Sequence, residues 1–435
     1  MTLSRVATLL LLGSAVLSAR LHGQERVVTL ADAIKLSERV QPAVVRAAGE
    51  IQTAAAQRRS AWGSYLPSLS ASSSASSFSS EGPSRIDPVT GQLLSGNTSN
   101  RSLSTSLSAS VDLFTGFRRG AEMGAARASQ SAAEASFVDA RFQQALATTN
   151  QFLDALAAQQ LVGVRETSVR RAEEQLKTSI AKLHAGSATR SDSLRSRVTL
   201  GNAQLDLIRA QTDLATAEAG LARLIGETGR VKALDDSAFY RVVEMPDTAA
   251  LRAEAEGKSP RIQSAAASAD AARAGLKASR AAYWPSLSLS ANTAWNASRS
   301  NDYDLFNQRQ LSLGLRWSLF DGFERELAVA ERSASLEVAD ATAADERRAV
   351  AAELTARLAE LTAARAQIEI TLTSVVAATE DLRVQQERYR LGASTIVDVL
   401  TSQEALNQAE VDVVVARFDY LRAKASLEAL IGRNL

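Results

Sequence analysis

Cysteine is absent from the 435-residue sequence, which excludes disulfides, thiolate metal sites, catalytic thiols and an acylated cysteine anchor. Only two histidines occur, His22 and His184, which argues against His-based triads and multi-histidine metal sites. Acid and base nearly cancel, with 49 Lys and Arg against 48 Asp and Glu, a net charge of +1. That balance gives no electrostatic case for a nucleic-acid partner. Aromatic residues make up 5% and prolines number seven, while about one residue in five is alanine. Such a chain reads as long helices with close-packed backbones, although its length allows two or three ordinary domains. Beyond the N-terminus there is no apolar run long enough for a spanning helix. A membrane crossing would therefore have to be made by strands. The single apolar run, Val6 to Leu17, has the length of a secretory h-region, and cleavage is expected after Gly23 or, alternatively, Ala19.

The chain is written twice. Gln41-Pro42 recurs as Ser259-Pro260, and Tyr65-Leu66-Pro67-Ser68-Leu69-Ser70 as Tyr283-Trp284-Pro285-Ser286-Leu287-Ser288, both 218 residues later. Leu113-Phe114-Thr115-Gly116-Phe117 recurs as Leu319-Phe320-Asp321-Gly322-Phe323, now 206 residues later. The same 206 relates Gly186 to Gly392, Asp192 to Asp398, and Leu224-Ile225-Gly226 to Leu430-Ile431-Gly432. The first copy thus holds 12 extra residues between its two motifs. Two copies suit an internally duplicated domain better than a solenoid. The predicted organisation is a signal peptide over 1–23, a first repeat over 24–226, a linker over 227–248 and a second repeat over 249–435.

Each repeat reads helix, strand, loop, strand, long helix, turn, helix. Strands are predicted at about 67–78, 102–113, 285–296 and 309–319, because apolar and polar residues alternate there. In the second copy Leu287, Leu289, Ala291, Thr293 and Trp295 share one face, as do Leu311, Leu313, Leu315, Trp317 and Leu319. Leu103, Leu107, Val111 and Leu113 repeat the pattern in the first copy. Long proline-free helices are predicted over 117–185 and 323–391, each about 100 Å at 1.5 Å per residue. Returning helices are predicted over 190–226 and 394–432, roughly half as long, and the leading helices of each repeat supply the other half. Leu354, Leu361, Ile368, Val375, Leu382 and Tyr389 recur at seven-residue steps, as do Val399, Leu406, Val413, Tyr420 and Leu427. Val162, Val169, Leu176 and Leu183, then Leu200, Leu207, Leu214 and Leu221, hold the matching places in the first copy. A strict seven-residue step implies left-handed supercoiling. Four strands cannot close a barrel that needs about eight, so their edges must pair with other chains, and three copies would enclose water.

This layout resembles the TolC family of outer-membrane efflux and secretion ducts. The resemblance is carried by Val28-Thr29-Leu30-Ala31-Asp32-Ala33 with Pro42, by the two Tyr-x-Pro-Ser-Leu-Ser motifs and the two Leu-Phe-x-Gly-Phe motifs, and by Leu391-Gly392-Ala393-Ser394-Thr395-Ile396-Val397-Asp398-Val399-Leu400. It departs where the family commonly has Asn-Pro in the leading helix. The resemblance implies a mostly helical, internally duplicated homotrimer in the outer membrane. Four strands per chain would complete a barrel of about 12 strands, and a coiled-coil α-barrel of about 12 helices would continue it into the periplasm. It further implies an equatorial girdle at 227–247, docking to a periplasmic adaptor protein, and energy drawn from an inner-membrane pump. No cofactor, metal or nucleic acid enters.

By the same resemblance Asp398 matches a carboxylate ring at the closed end of the tunnel, although an ordinary first-turn Asp would also sit there. Asp192 and Tyr389 match a pair that hydrogen-bonds between neighbouring hairpins and holds the gate shut. Ser394 and Thr401 replace a gate arginine and a second constriction aspartate. Leu183, Gly186, Ser187, Leu391, Gly392 and Ser394 form the two turns where an adaptor would dock. The strand residues Leu287, Leu289, Trp295, Leu311, Leu313, Leu315, Trp317 and Leu319 would meet lipid. An enzyme has no support: no nucleophile-base pair or phosphate loop stands out. The serious alternative is a soluble periplasmic coiled-coil scaffold, against which the amphipathic strands argue.

Overall fold

The computed structural model describes residues 26–94, 98–236, 239, 248–298 and 302–433. The leader and its cleavage site lie outside them. In chain order the elements are β1 (Arg26–Val28), α1 (Leu30–Val40), α2 (Pro42–Gly63), β2 (Ser68–Ser80), β3 (Arg85–Ile86), β4 (Leu93–Leu94), β5 (Thr98–Phe114), α3 (Arg118–His184), α4 (Arg190–Ile225), β6 (Val231–Ala233), α5 (Thr248–Lys258), α6 (Pro260–Ser279), β7 (Ser286–Ser298), β8 (Phe306–Arg316), α7 (Glu324–Arg390) and α8 (Ile396–Ile431). They form two compact units. One gathers Met1–Arg46, Ala140–Ser259 and Ala351–Leu435, the other Ala47–Asp139 and Pro260–Val350. Among the described residues no helix is long and apolar enough to cross a membrane.

The first unit is a helical assembly with a small two-stranded ribbon. Thr29 caps α1 by accepting from the Asp32 amide at 3.2 Å. The leading helix is interrupted rather than continuous, because Pro42 has no N–H and forces Gln41 into an extended conformation, ψ 129°. The Gln41 side chain uses the break, donating from Nε2 to the Leu224 carbonyl at 2.6 Å. Arg26 to Val28 pair in parallel with Val231 to Ala233, and Arg26 forms an ion pair with Glu227. The core is built from Phe152, Leu156, Leu221, Leu251, Leu354, Phe418, Leu427 and Ile431, all fully buried.

Within this unit α8 is the most enclosed helix. Its stripe of Val399, Leu406, Val413, Tyr420 and Leu427 is buried throughout. Arg171 on α3 ties to it, donating to Glu410 Oε1 at 2.8 Å and Asn407 Oδ1 at 2.8 Å. On the stretch of α3 from 162 to its end the buried residues are Ser168, Ala172, Gln175 and Ser179, while Val162, Val169, Leu176 and Leu183 are half-buried. The seven-residue stripe in the first copy is thus displaced toward small and polar residues. Ser179 and Ser196 share a buried hydrogen bond of 2.8 Å between α3 and α4. By contrast α4 leaves Leu194, Val198, Leu205 and Ile208 at 51%, 63%, 54% and 58% exposure, an apolar stripe at helical spacing broken only at Gly201 and Asn202.

The second unit is organised by an antiparallel sheet of order β2-β5-β7-β8. Direct pairing puts Leu69, Ala109, Ala291 and Leu311 in one row, and Val111, Leu289 and Leu313 in the next. Odd-numbered residues therefore make one apolar face and even-numbered residues a face of Ser, Asn and Gln. Hydroxyls on the even face pair across strands: Ser68 with Ser110 at 2.7 Å, Ser72 with Ser106 at 2.8 Å, Ser76 with Ser102 at 2.7 Å. Ser104 and Ser108 donate to Asn296 Oδ1 at 2.8 Å and Asn292 Oδ1 at 3.0 Å. A bulge between Asp112 and Phe114 sets Phe114, not Leu113, opposite Leu287. The last strand ends at Arg316, short of the predicted 319, so Trp317 and Leu319 lie beyond it. Trp317 instead donates its indole N–H to the Tyr283 carbonyl at 3.3 Å. Neither β2 nor β8 has an outer partner strand among the described residues.

The two Leu-Phe-x-Gly-Phe motifs are the junctions from strand to long helix. Each places two successive residues at positive φ: Gly116 at 61° and Phe117 at 66°, Gly322 at 74° and Phe323 at 71°. A Phe there is uncommon and strained. It is held by ring contacts, Phe114 on Phe117 and Phe320 on Phe323, both at 5.4 Å and near perpendicular. The Tyr-x-Pro motifs buttress the same corners, with Arg119 5.4 Å from the Tyr65 ring and Arg325 5.0 Å from the Tyr283 ring. A Cβ at Gly116 would collide with Trp284 and meet the Ala281 carbonyl at 3.0 Å, whereas nothing stands within 4 Å at Gly322. Gly116→Ala is therefore expected to destabilise the protein by about 2 kcal/mol and Gly322→Ala by less. Thermal unfolding of the two variants side by side checks the order; equal losses would refute the steric account.

Candidate functional site at the helical turns

The turn end of the first unit carries the residues singled out from the sequence. The helix α3 stops at His184 with a left-handed Gly186, and the Ser187 amide returns to the Lys182 carbonyl at 2.9 Å. The second copy repeats it: α7 stops at Arg390, Gly392 lies at φ 78°, and the Ala393 amide reaches the Arg388 carbonyl at 2.7 Å. Leu391 projects from its turn at 75% exposure, and Ser187 is exposed, while Leu183 and Ser394 are half-buried. Both turns present accessible backbone, since nothing lies within 4 Å of a Cβ built on either glycine.

Each returning helix opens with a reciprocal capping box. Thr189 accepts from the Asp192 amide, and Asp192 Oδ2 accepts from the Thr189 amide at 2.8 Å. In the second copy Asp398 Oδ2 accepts from the Thr395 amide at 2.9 Å, from Thr395 Oγ1 at 2.8 Å and from Ser394 Oγ at 3.0 Å. The Ser/Thr cluster is legible in the sequence as the start of each returning helix, but the reciprocity of the caps, signalled by Thr-x-x-Asp at 189–192 and 395–398, is not drawn from it. Both carboxylates are thus first-turn residues in one protomer, whatever else they do in an assembly. Thr401 lines an open groove between α4 and α8, with Leu194, Arg195 and Val198 across from Val397 and Glu404.

The backbone amide of Thr395, then the Thr395 and Ser394 hydroxyls, hold the Asp398 carboxyl below its ordinary value of 3.8. A folded value below the unfolded one stabilises the turn above pH 3.8, and that contribution is lost as pH falls through the lower folded value. The second turn is therefore expected to stay protected from amide exchange on acidification to pH 3.8 and to open only below it. Asp398→Asn should remove that dependence; an opening unchanged in the variant would disprove it.

Tyr389 is buried at 6% exposure, packed in a cluster with Leu382, Ile396, Val399 and Leu406. Its hydroxyl is buried with no hydrogen-bond partner among the described residues. Burial raises the phenol's pKa, the Ser179 hydroxyl acts against that rise, and the Asp192 charge adds to it. The Asp192 and Tyr389 side chains share no hydrogen bond in one protomer. The cation that meets Tyr389 is Lys182, which the sequence reading passed over.

The strand residues stand at the other set of positions. Leu311, Leu313 and Leu315 are exposed and Leu287 and Leu289 half-buried on the odd face, with Trp295 beside Thr105 and Asn307 toward its loop end. The Leu band from Leu287 to Trp295 spans about 26 Å along its strand. The described residues contain no group of His, Cys, Asp and Glu able to hold a metal ion.

Known proteins share this construction. BepC of Brucella suis, an outer membrane efflux protein, is 26% identical over 286 residues, which are 64% of this chain and 62% of BepC. The alkaline protease secretion protein AprF of Pseudomonas aeruginosa is 25% identical over 288 residues, 65% of this chain and 60% of AprF. The matches thus span about three fifths of the length of these two relatives. In fold, the chain superposes on the outer membrane protein VceC of Vibrio cholerae with a TM-score of 0.74 at 18% identity, covering 93% of this chain and 96% of that one. Residues 33–227 and 251–433, one block in each repeat, match the outer membrane efflux protein family. The chain belongs to that family.

Proposed function

We propose that three copies of this chain form an outer-membrane duct that carries substrates across the outer membrane and through the periplasm. The observation that carries the reading is the sheet of the second unit. It has an apolar face, a hydroxyl face and two edge strands, β2 and β8, with no outer partner among the described residues. An amphipathic sheet with free edges is stable in a bilayer only when closed. Three four-stranded sheets would supply about 12 strands, with the Leu face to lipid and the serine face to the lumen. The exposed stripe on α4 supports the same assembly in the first unit, since it offers a second copy an apolar seam.

In this duct the Gly186 and Gly392 turns are the docking tips for a periplasmic adaptor protein, with Leu391 the most exposed contact. The adaptor joins the duct to an inner-membrane pump that supplies the energy. Asp398 and Thr401 stand at the constriction. The two repeats, 24–226 and 249–435, act as pseudo-equivalent staves, with 227–248 in the girdle.

The test is the native mass of the protein after detergent extraction from isolated outer membranes. A membrane-bound species at three times the 46.2 kDa chain mass, less its leader, is the expected result. Recovery as a soluble periplasmic monomer or dimer would overturn the duct in favour of a scaffold.

A further inference from the structure

One side chain ties the two hairpins of a protomer together at their turns. Lys182 lies two residues before the end of α3 and crosses to α7. Its Nζ stands 4.2 Å from the centroid of the Tyr389 ring. It donates to the Tyr389 main-chain carbonyl and, at 3.3 Å, to that of Arg390. Those carbonyls close α7, where helical partners run out and the helix dipole concentrates negative charge. The lysine therefore caps the end of one hairpin from the body of the other and covers an aromatic face in doing so. The Asp192 carboxylate is occupied by the Thr189 amide at 2.8 Å, and the Tyr389 hydroxyl, near that of Ser179 on α3, makes no well-aligned hydrogen bond among the described residues.

We infer that Lys182 is the positioning residue that latches the first hairpin to the second in the resting duct, acting through the ring and main chain of Tyr389 rather than through its hydroxyl. The inference rests on the duct reading. It explains how a closed turn region holds with serine at position 394, whose hydroxyl goes to Gln385 Oε1 at 3.1 Å and Asp398 Oδ2 at 3.0 Å. It also makes the two seams of the pseudo-repeat unequal. Arg388 stands 206 residues after Lys182, and its guanidinium turns back to the Ala393 carbonyl of its own turn at 3.4 Å. Within one chain, the seam from the first hairpin to the second carries its crossing cation on the first hairpin. An opening motion would therefore separate these hairpins only after Lys182 lets go.

The test uses the full-length purified trimer in planar bilayers, with Lys177→Met as the control, because Lys177 is an exposed lysine earlier on α3 that pairs with Glu174 on its own helix. Lys182→Met keeps much of the aliphatic stem and removes the charge. It is expected to raise the ratio of open to closed current by about ten-fold, with Lys177→Met at the wild-type level. Tyr389→Leu, which removes the ring, should open the channel more than Tyr389→Phe, which removes the hydroxyl alone. Amide exchange over residues 385–395 supplies a readout independent of conduction, and Lys182→Met should accelerate it. Wild-type conductance and exchange in Lys182→Met would overturn the latch, as would equal opening by Tyr389→Phe and Tyr389→Leu. Absence of conductance steps from the wild-type protein would overturn the duct itself, and faster exchange in Lys182→Met would then leave only the contact standing.

Discussion

Leu205→Asp combined with Ile208→Asp is expected to yield a helical chain that no longer assembles. These two side chains lie in the stripe that α4 leaves in water, where they are 54% and 58% exposed beside Val198 and Leu194. Withdrawing each from water on assembly contributes about 1 kcal/mol, and the seam recurs between every pair of copies. A carboxylate placed there reverses the sign, because an unpaired charge must be dehydrated for the seam to close. Folding of the protomer should survive, since the buried side of α4 is made by Ser196, Ala203, Leu221, Ala222 and Leu224, which are untouched. The expected outcome is the complete loss of the trimer in detergent, with the helical circular dichroism of the chain retained. A double variant that still sediments as a trimer would show that another face makes the seam.

Gly392→Val is expected to abolish export while leaving the trimer in the membrane. The position lies at φ 78°, where a β-branched side chain is strongly disfavoured. Nothing within 4 Å would obstruct the new atoms, so the effect acts through the backbone of the turn rather than through a clash. Relief of that strain must shift the Ala393 amide off the Arg388 carbonyl and move Leu391, the most exposed side chain of the turn. The adaptor would meet a different surface. Cells carrying the variant should show normal amounts of outer-membrane trimer and substrate accumulation equal to that of a deletion strain. Export at the wild-type rate would remove this turn from the docking surface.

What could be read in advance depended on how many neighbours an element has. The stripe of Val399, Leu406, Val413, Tyr420 and Leu427 is buried along its length, because α8 packs against partners within its own chain. The matching stripe in α3 is only half-buried, and Ser168, Ala172, Gln175 and Ser179 take the inner positions. A seven-residue step locates a stripe on a helix but not which of two adjacent stripes meets a neighbour, and small polar residues carry no hydropathy signal. The strand faces were legible from alternation alone, yet the bulge at Leu113 was not, since one inserted residue leaves the composition unchanged. At the turns, the glycines and Asp398 were visible by position. The occupation of both carboxylates by their own caps, and the reach of Lys182 across to Tyr389, depend on which groups approach in space.

The serine face of the sheet has a consequence for traffic. Several of its hydroxyls are already matched across strands, Ser72 with Ser106 and Ser104 with Asn296, and among the described strand residues its only charges are Asp112 and Arg316 near one end. In the duct proposed above, a passing solute would find a wetted wall whose hydrogen bonds are largely spent on itself and whose charge is nearly nil. Cargo would then be neither held nor sorted over that stretch. Its dwell time there would be set by diffusion, leaving all discrimination to the helical turns.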